Sequence, residues 1–381
     1  MRLVAIRISV SLAMVLVAAV QCAGQDRAAD VKTAFSRAQH LRYGINASEW
    51  FAQSHDYSAA RTDRYTDGGD IALMAKLGFD NVRLSIDPVP LEQEPFGPDG
   101  MNDEFLGRLD KVVDTMLADG LAVEIDIHPE EAYKNAIRTE DGAVDRFVAL
   151  WSRLAAHYAG RDPERVFFEI MNEPEVHDSN RWAGILARGA VAIRQAAPRN
   201  TIIASGDNWS DIVDLLALHP LPDGNVIYNF HFYDPSEFTH QGANWGEPWW
   251  RVTHDIPYPP TEQSMAESLK EVPNPVNRYK LENYWLDRWD AEHIRGLINE
   301  AVAWASANNV PLTCNEFGAF REHMQPESRM RWIHDVRSSL DADGIGWTMW
   351  DYRGGFGVVW KQDGQPAKVD DAVVEALGLK E

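Results

Sequence analysis

The sequence predicts one α/β domain of the (β/α)8 barrel class. Two observations carry that expectation: eight short apolar runs recur along the 381 residues, and segments of helical period separate them. Such alternation is the pattern of repeated βα units around parallel strands. The chain is also long enough to bury the large core that a barrel needs. Strands buried on both faces read as near-continuous apolar runs, so the predicted strands are Arg42 to Ala47, Asn81 to Ile86, Ala122 to His128, Val166 to Asn172, Thr201 to Gly206, Val226 to Tyr233, Val310 to Glu316 and Ile345 to Asp351.

Between them the spacing predicts helices over Asp103 to Asp119, Val144 to Tyr158, Trp182 to Ala197, Ala291 to Asn308 and Glu327 to Ala342, with a last one over Asp370 to Leu379. Gly78, Gly120, Gly160 and Gly344 stand where left-handed helix ends are expected. The stretch from Asp234 to about Asp290 reads as irregular and carries Trp245, Trp249, Trp250, Tyr258, Trp285 and Trp289. A connection that long in a compact domain is usually functional. Half of its aromatics are expected to pack a cluster beneath it instead.

Ahead of the barrel, Arg2 and Arg7 precede the apolar run Ile8 to Val20, and small residues follow at Ala23 and Gly24. That is the pattern of a signal peptide over residues 1–24, too short an apolar run to span a membrane, leaving 25–381 as the mature domain, secreted or periplasmic. Cys22 raises a lipid-anchored reading, which Gln21 just before it disfavours. Removal of the leader leaves Cys314 alone, so no intramolecular disulfide is expected, and its apolar strand makes it a small core residue. The formal net charge is −22, and losing Arg2 and Arg7 makes it about −24, which argues against nucleic acid or an anionic membrane as partner. Fourteen tryptophans and eleven tyrosines exceed what a core of this size needs, and flat aromatic faces left in a cleft can stack on sugar rings. Oligomeric state is not legible in these residues.

Polar residues collect at strand ends: Arg83, His128, Asn172 with Glu173, His231 with Tyr233, Glu316, and the aromatic Trp350. In a barrel these positions share the rim where active residues gather. Glu173 and Glu316 each close an apolar run, and a pair of carboxyls facing one site can protonate a leaving oxygen and attack, or activate water, as glycosidic bond cleavage requires. Glu169 and Asp126 fall at interior strand positions, where a charge needs a partner. Asn46, Asn208 and Trp209 are weaker cleft candidates, and Glu49 and Asp351 weaker still. Histidines and carboxylates on such a rim also build metal-dependent hydrolases, but Gly44-Ile45-Asn46 carries no histidine and His128 is not part of a His-x-His pair. Neither metal nor other cofactor is expected.

These motifs resemble glycoside hydrolase family 5, in the clan of TIM-barrel retaining glycosidases, over essentially the whole mature chain. The most specific pieces are Asn172-Glu173-Pro174, Asn315-Glu316-Phe317-Gly318, His231-Phe232-Tyr233 and Trp350, joined by Gly44-Ile45-Asn46, Asn81-Val82-Arg83 and His128. Phe238-Thr239-His240-Gln241-Gly242-Ala243 followed by Trp245 is similar to bacterial members acting on β-1,4-glucans, some of which take mannans. The resemblance implies Glu173 as general acid/base and Glu316 as nucleophile, held ionised by Arg83. It implies Asn172 on the sugar 2-hydroxyl, Tyr233 near the nucleophile, His128 and His231 positioning substrate, and Trp350 as a stacking platform. His240, Trp245, Trp249 and Trp250 join the cleft candidates. Carboxyls on strands four and seven of one barrel would lie about 5 Å apart, the spacing of a retaining double displacement. The expected activity is a retaining endo-β-1,4-glucanase on a polysaccharide or oligosaccharide. A mannanase or dual glucan/mannan hydrolase is the second reading, and a non-catalytic carbohydrate-binding barrel the third; the presence of both glutamates disfavours the last.

Overall fold

The structure, a computed structural model, describes residues 27–379 except 271 and 273, so the expected leader over 1–24 lies outside the described residues. Eight strands close a parallel barrel in chain order: β1 (Tyr43–Phe51), β2 (Asn81–Ile86), β3 (Ala122–Ile127), β4 (Val166–Glu169), β5 (Thr201–Ser205), β6 (Val226–Phe232), β7 (Leu312–Phe317) and β8 (Gly346–Met349). β8 pairs with β1 through Tyr43 opposite Trp347, which closes the ring.

All eight predicted strands are present, with shifted ends. β4 stops at Glu169, short of the expected Asn172, where regular pairing ends, although the buried Ile170 and Asn172 still donate backbone N–H bonds to Ile203 and Ile127 of the flanking strands. β1 runs on to Phe51, beyond the expected Ala47. The expected helices form as Asp103–Ala118, Asp141–Tyr158, Ser179–Ala196, Ala291–Asn308, Pro326–Ala342 and a short Asp371–Ala376. Asn102, Asp178 and Asp290 cap three of them by accepting backbone N–H bonds, each cap worth about 1 kcal/mol. Gly78, Gly120 and Gly344 adopt the left-handed conformation at φ +96°, +86° and +70°. Gly160 does not: Tyr158 is followed by Ala159 in right-handed geometry.

The core lies between barrel and helices. Val82, Leu84, Val123, Ile125, Val166 and Phe168 point outward onto Phe105, Leu109, Leu150 and Trp151 of the helices, all buried. Inside the barrel, by contrast, lie the polar side chains Asn46, Arg83, Glu124, Asp126, Glu169 and Asn315, also buried.

Two features position the mouth. Between Thr313 and Glu316 of β7, three steps of chain stand against two on β6, where Asn229 pairs with Thr313 and His231 with Glu316. The same excess appears against β8. A bulge of one extra residue re-aims side chains. It lets both Asn315 and Glu316 face the interior, which strict alternation forbids. At Gly318 an added Cβ would sit 2.4 Å from the Trp350 carbonyl, so only glycine allows the ends of β7 and β8 to approach there.

The stretch after β6 corrects an expectation. It is not irregular: it holds helices Ser236–Thr239, Glu262–Ser268 and Pro275–Leu286 and a 3-10 turn, Trp250–Val252. Pro275–Leu286 escapes a periodicity reading because it has no single apolar face: Leu281 and Tyr284 are buried while Val276, Tyr279 and Leu286 are exposed. Trp249, Tyr258 and Trp289 are buried and Trp245 and Trp285 exposed, close to the even split expected of these aromatics.

Candidate active site

Arg83 of β2 is the hub of the mouth. Its guanidinium, fully buried, makes a two-pronged pair with Glu169 of β4 at 2.6 and 2.9 Å and lies 3.0 Å from Asp126 of β3. It also donates to Asn46 of β1 at 3.0 Å, to Asn172 at 2.8 Å, and to Glu316 of β7 at 2.5 Å. A planar fork of five donors suits this many acceptors, which a lysine could not serve. Both interior carboxylates expected to find a charge partner have found the same one.

Because arginine only donates, Arg83 fixes the Asn172 amide with its oxygen inward. The Asn172 nitrogen then points to His128 Nε2 at 3.1 Å, which must accept. His128 Nδ1 therefore carries the proton and donates to Asp126 at 2.9 Å. Burial holds His128 well below the usual imidazole range, so it stays neutral, and its ring stacks against Trp350 at 5.7 Å and 17°. His128 holds Asn172 and backs Trp350 rather than opening into the cleft.

The two glutamates share one neighbour. His231 Nδ1 lies 3.1 Å from Glu173 Oε1 and 3.5 Å from Glu316 Oε2, and one oxygen of each glutamate lies within 4.8 Å of the other. Their surroundings differ. Glu316 is 4 % exposed and accepts from both Arg83 and the Tyr233 hydroxyl, the latter at 2.8 Å. Glu173 is 24 % exposed, turned toward the cleft at φ +41°, a left-handed conformation that costs a side-chain-bearing residue about 1–2 kcal/mol. Burial raises both carboxyls above their ordinary value. The proton that such a pair retains belongs on Glu173, since the donors that stabilise a carboxylate converge on Glu316. Glu173, His231 and Glu316 form a close donor set, but a cation does not fit: Arg83 and Tyr233 already occupy the Glu316 oxygens.

The weaker candidates divide. Asn46 is inside the constellation, receiving Arg83 and donating to the Asn315 carbonyl at 3.0 Å. His240 packs edge-on to Tyr233 at 5.3 Å and stacks on Trp250 at 4.4 Å, so Trp250 is the layer behind it. Trp245 is 43 % exposed, edge-on to Phe320. Trp209 is 53 % exposed beside His177, on three successive left-handed residues, Asn208 to Ser210, beyond β5. Trp249 is a correction: it is buried at 9 %, with Lys280 over its ring, Trp250 edge-on to it and its carbonyl held by Asn277, so it packs within the loop and does not line the cleft. Glu49 accepts from Tyr65, and Asp351 is bonded to Ser48 and Gly354, both structural roles. Glu124 and Asn315, buried beneath the pair, were missed as site residues.

A closed parallel barrel with two carboxyls converging on its mouth is the architecture of a barrel glycoside hydrolase. Comparison with known proteins gives the family. The chain belongs to glycosyl hydrolase family 5, whose cellulase model matches residues 43–355. It is 29 % identical over 360 residues to Endoglucanase 3 of Fibrobacter succinogenes, covering 90 % of this chain but only about half, 53 %, of that protein. It is 28 % identical over 332 residues to Endoglucanase C of Acetivibrio thermocellus, covering 86 % of this chain and 95 % of that one. Endoglucanase Cel5A of Thermotoga maritima superposes with a TM-score of 0.73 at 27 % identity over 90 % of this chain and 99 % of its own. The same enzyme has been solved in complex with mannotriose, with a TM-score of 0.71.

Proposed function

We propose that the protein is a retaining endo-β-1,4-glucanase in which Glu316 is the nucleophile and Glu173 the general acid/base. The observation that carries this is the spacing of the two carboxyls, with oxygens within 4.8 Å. That suits a double displacement, at about 5 Å, and leaves too little room for the water of an inverting enzyme, which needs about 6.5–9.5 Å. Glu316 attacks the anomeric carbon as Glu173 gives its proton to the leaving oxygen, forming a glycosyl ester and breaking the glycosidic bond. Glu173, now a carboxylate, takes a proton from water, whose oxygen displaces the Glu316 ester and restores the starting configuration. Arg83 and Tyr233 keep Glu316 charged for the first step, and Asn172, immobilised by Arg83 and His128, is placed to meet the sugar 2-hydroxyl.

The endoglucanase names of the relatives support glucan as substrate. The mannotriose complex of one relative favours mannan as the second reading. The reading of residues 1–24 as a leader supports export; among the described residues no helix is long and apolar enough to cross a membrane. Reducing-sugar release and viscosity on carboxymethylcellulose, mixed-linkage β-glucan, glucomannan, galactomannan and xylan test the assignment, with Glu316→Gly as control. Rapid viscosity loss on glucans is expected, and comparable galactomannan cleavage would make the enzyme dual. Proton NMR should show the retained anomer first; the opposite anomer would overturn the mechanism.

A further inference from the structure

The bulge in β7 turns Asn315 inward, directly below the glutamate pair. Its side-chain nitrogen donates to Glu169 Oε2 at 2.8 Å and faces Glu124 Oε2 at 3.3 Å, and its side-chain oxygen lies 3.1 Å from His231 Nε2. The backbone is held as well: its N–H donates to Asn229 and its carbonyl accepts from Asn46. Glu169 is bound on both oxygens by Arg83, so it is a carboxylate and can only accept. Turning the Asn315 amide over would set its oxygen against that carboxylate, so the orientation is forced.

We infer that Asn315, oriented by Glu169, locks His231 as the Nε2–H tautomer, so that its bare Nδ1 holds the acidic proton of Glu173; Asn315 is thus a positioning residue for the acid/base. The chain of donors runs in one direction: Asn315 N–H to Glu169, His231 Nε2–H to Asn315, Glu173 O–H to His231 Nδ1. A lone pair facing Glu173 stabilises the protonated acid, whereas an N–H there would stabilise the carboxylate. Burial favours neutral His231, pushing it down to about 4. The charged or titratable groups facing this pair are Glu316, Arg83, Glu169, Asp126, His128, Tyr233, Lys134 and Glu175, of which Lys134 pulls Glu173 down most, Arg83 adds to that pull and Glu175 opposes it. His128 is the internal contrast: Asn172, oriented by a donor, Arg83, fixes it in the opposite tautomer, Nδ1–H. Two asparagines thus convert the charge of one buried ion pair into opposite histidine tautomers. The inference rests on Glu173 being the acid/base.

Long-range proton–nitrogen NMR of the full chain labelled with 15N-histidine reads both tautomers, with His231→Gln and His128→Gln assigning the signals. Near neutral pH, Nε2–H is expected for His231 and Nδ1–H for His128; Nδ1–H or imidazolium at His231 would overturn the inference without touching the role of Glu173. In Asn315→Ala, His231 becomes free to place its proton on Nδ1. The alkaline limb of kcat/KM on glucan should then fall by about one pH unit, a tenfold change in proton affinity. Cleavage of an activated aryl cellobioside, which needs no acid, should change little. A uniform loss on both substrates, with the limb in place, would mean that Asn315 only supports the fold.

Discussion

The ends of β4 and β7 each deliver a glutamate to the same nitrogen of His231, and they do so in opposite ways. Glu316 is held inside the strand by the bulge, nearly sealed, with a guanidinium and a phenol on its two oxygens. Glu173 lies four residues past the end of its strand, on a left-handed residue, open to the cleft, and among the described residues its carboxyl is hydrogen-bonded to an imidazole alone. On the proposed mechanism the same side chain is made an anion by donors at one end and kept an acid by their absence at the other. Identity of residue type thus decides little here, and what each oxygen touches decides the role.

If that contrast is right, the two ends must fail differently. Glu316→Gly should lower turnover by on the order of 10⁴-fold or more while leaving the fold intact, and azide should restore cleavage of an activated aryl glycoside as the inverted glycosyl azide. Recovery of the retained azide instead would move the nucleophile elsewhere. Glu173→Ala should cost roughly 10²–10⁴-fold on glucan and much less on a substrate with a good leaving group; equal loss on both would remove its acid role.

Arg83→Met strikes at both ends at once, since it orphans Glu169, Asp126 and Glu316. A loss of about 3–5 kcal/mol in urea unfolding is expected. An unchanged midpoint would show that these carboxyls simply take up protons in the folded state. Tyr233→Phe touches the β7 end alone. It removes one donor from the Glu316 carboxylate, worth about 1.5–3 kcal/mol. The sign follows from that: a carboxylate that loses a donor binds its proton more tightly, so the acid limb of kcat/KM should move to higher pH while the alkaline limb stays. Movement of the alkaline limb instead would place Tyr233 on Glu173.

Much of this was legible in the sequence, for reasons that also mark where legibility stops. The strands announce themselves because parallel strands are apolar on both faces, and a carboxylate closing such a run is conspicuous. Arg83 and Asp126 betray themselves as charges inside apolar strands that must be paired. Asn315 does not: strict alternation sends it to the opposite face from Glu316, and only the bulge, which depends on pairing across three strands, brings it in. Glu124 is hidden for a related reason, since an interior position can belong to the structural floor or to the site, and depth along the barrel axis is not written in period. Trp249 and Trp250 are adjacent and chemically alike, yet one packs under Lys280 and the other backs His240; loop aromatics carry no mark of which way the loop folds.

The seam where β8 meets β1 also bears on how the molecule comes into being. Tyr43 lies opposite Trp347, so the first strand has a single neighbour until nearly the whole chain has been made. The Arg83–Glu316 bond likewise joins residues separated by 233 positions. Contacts so distant in sequence make for slow folding and postpone its completion to the end of synthesis. A polypeptide that cannot finish its barrel early stays open and threadable for longer.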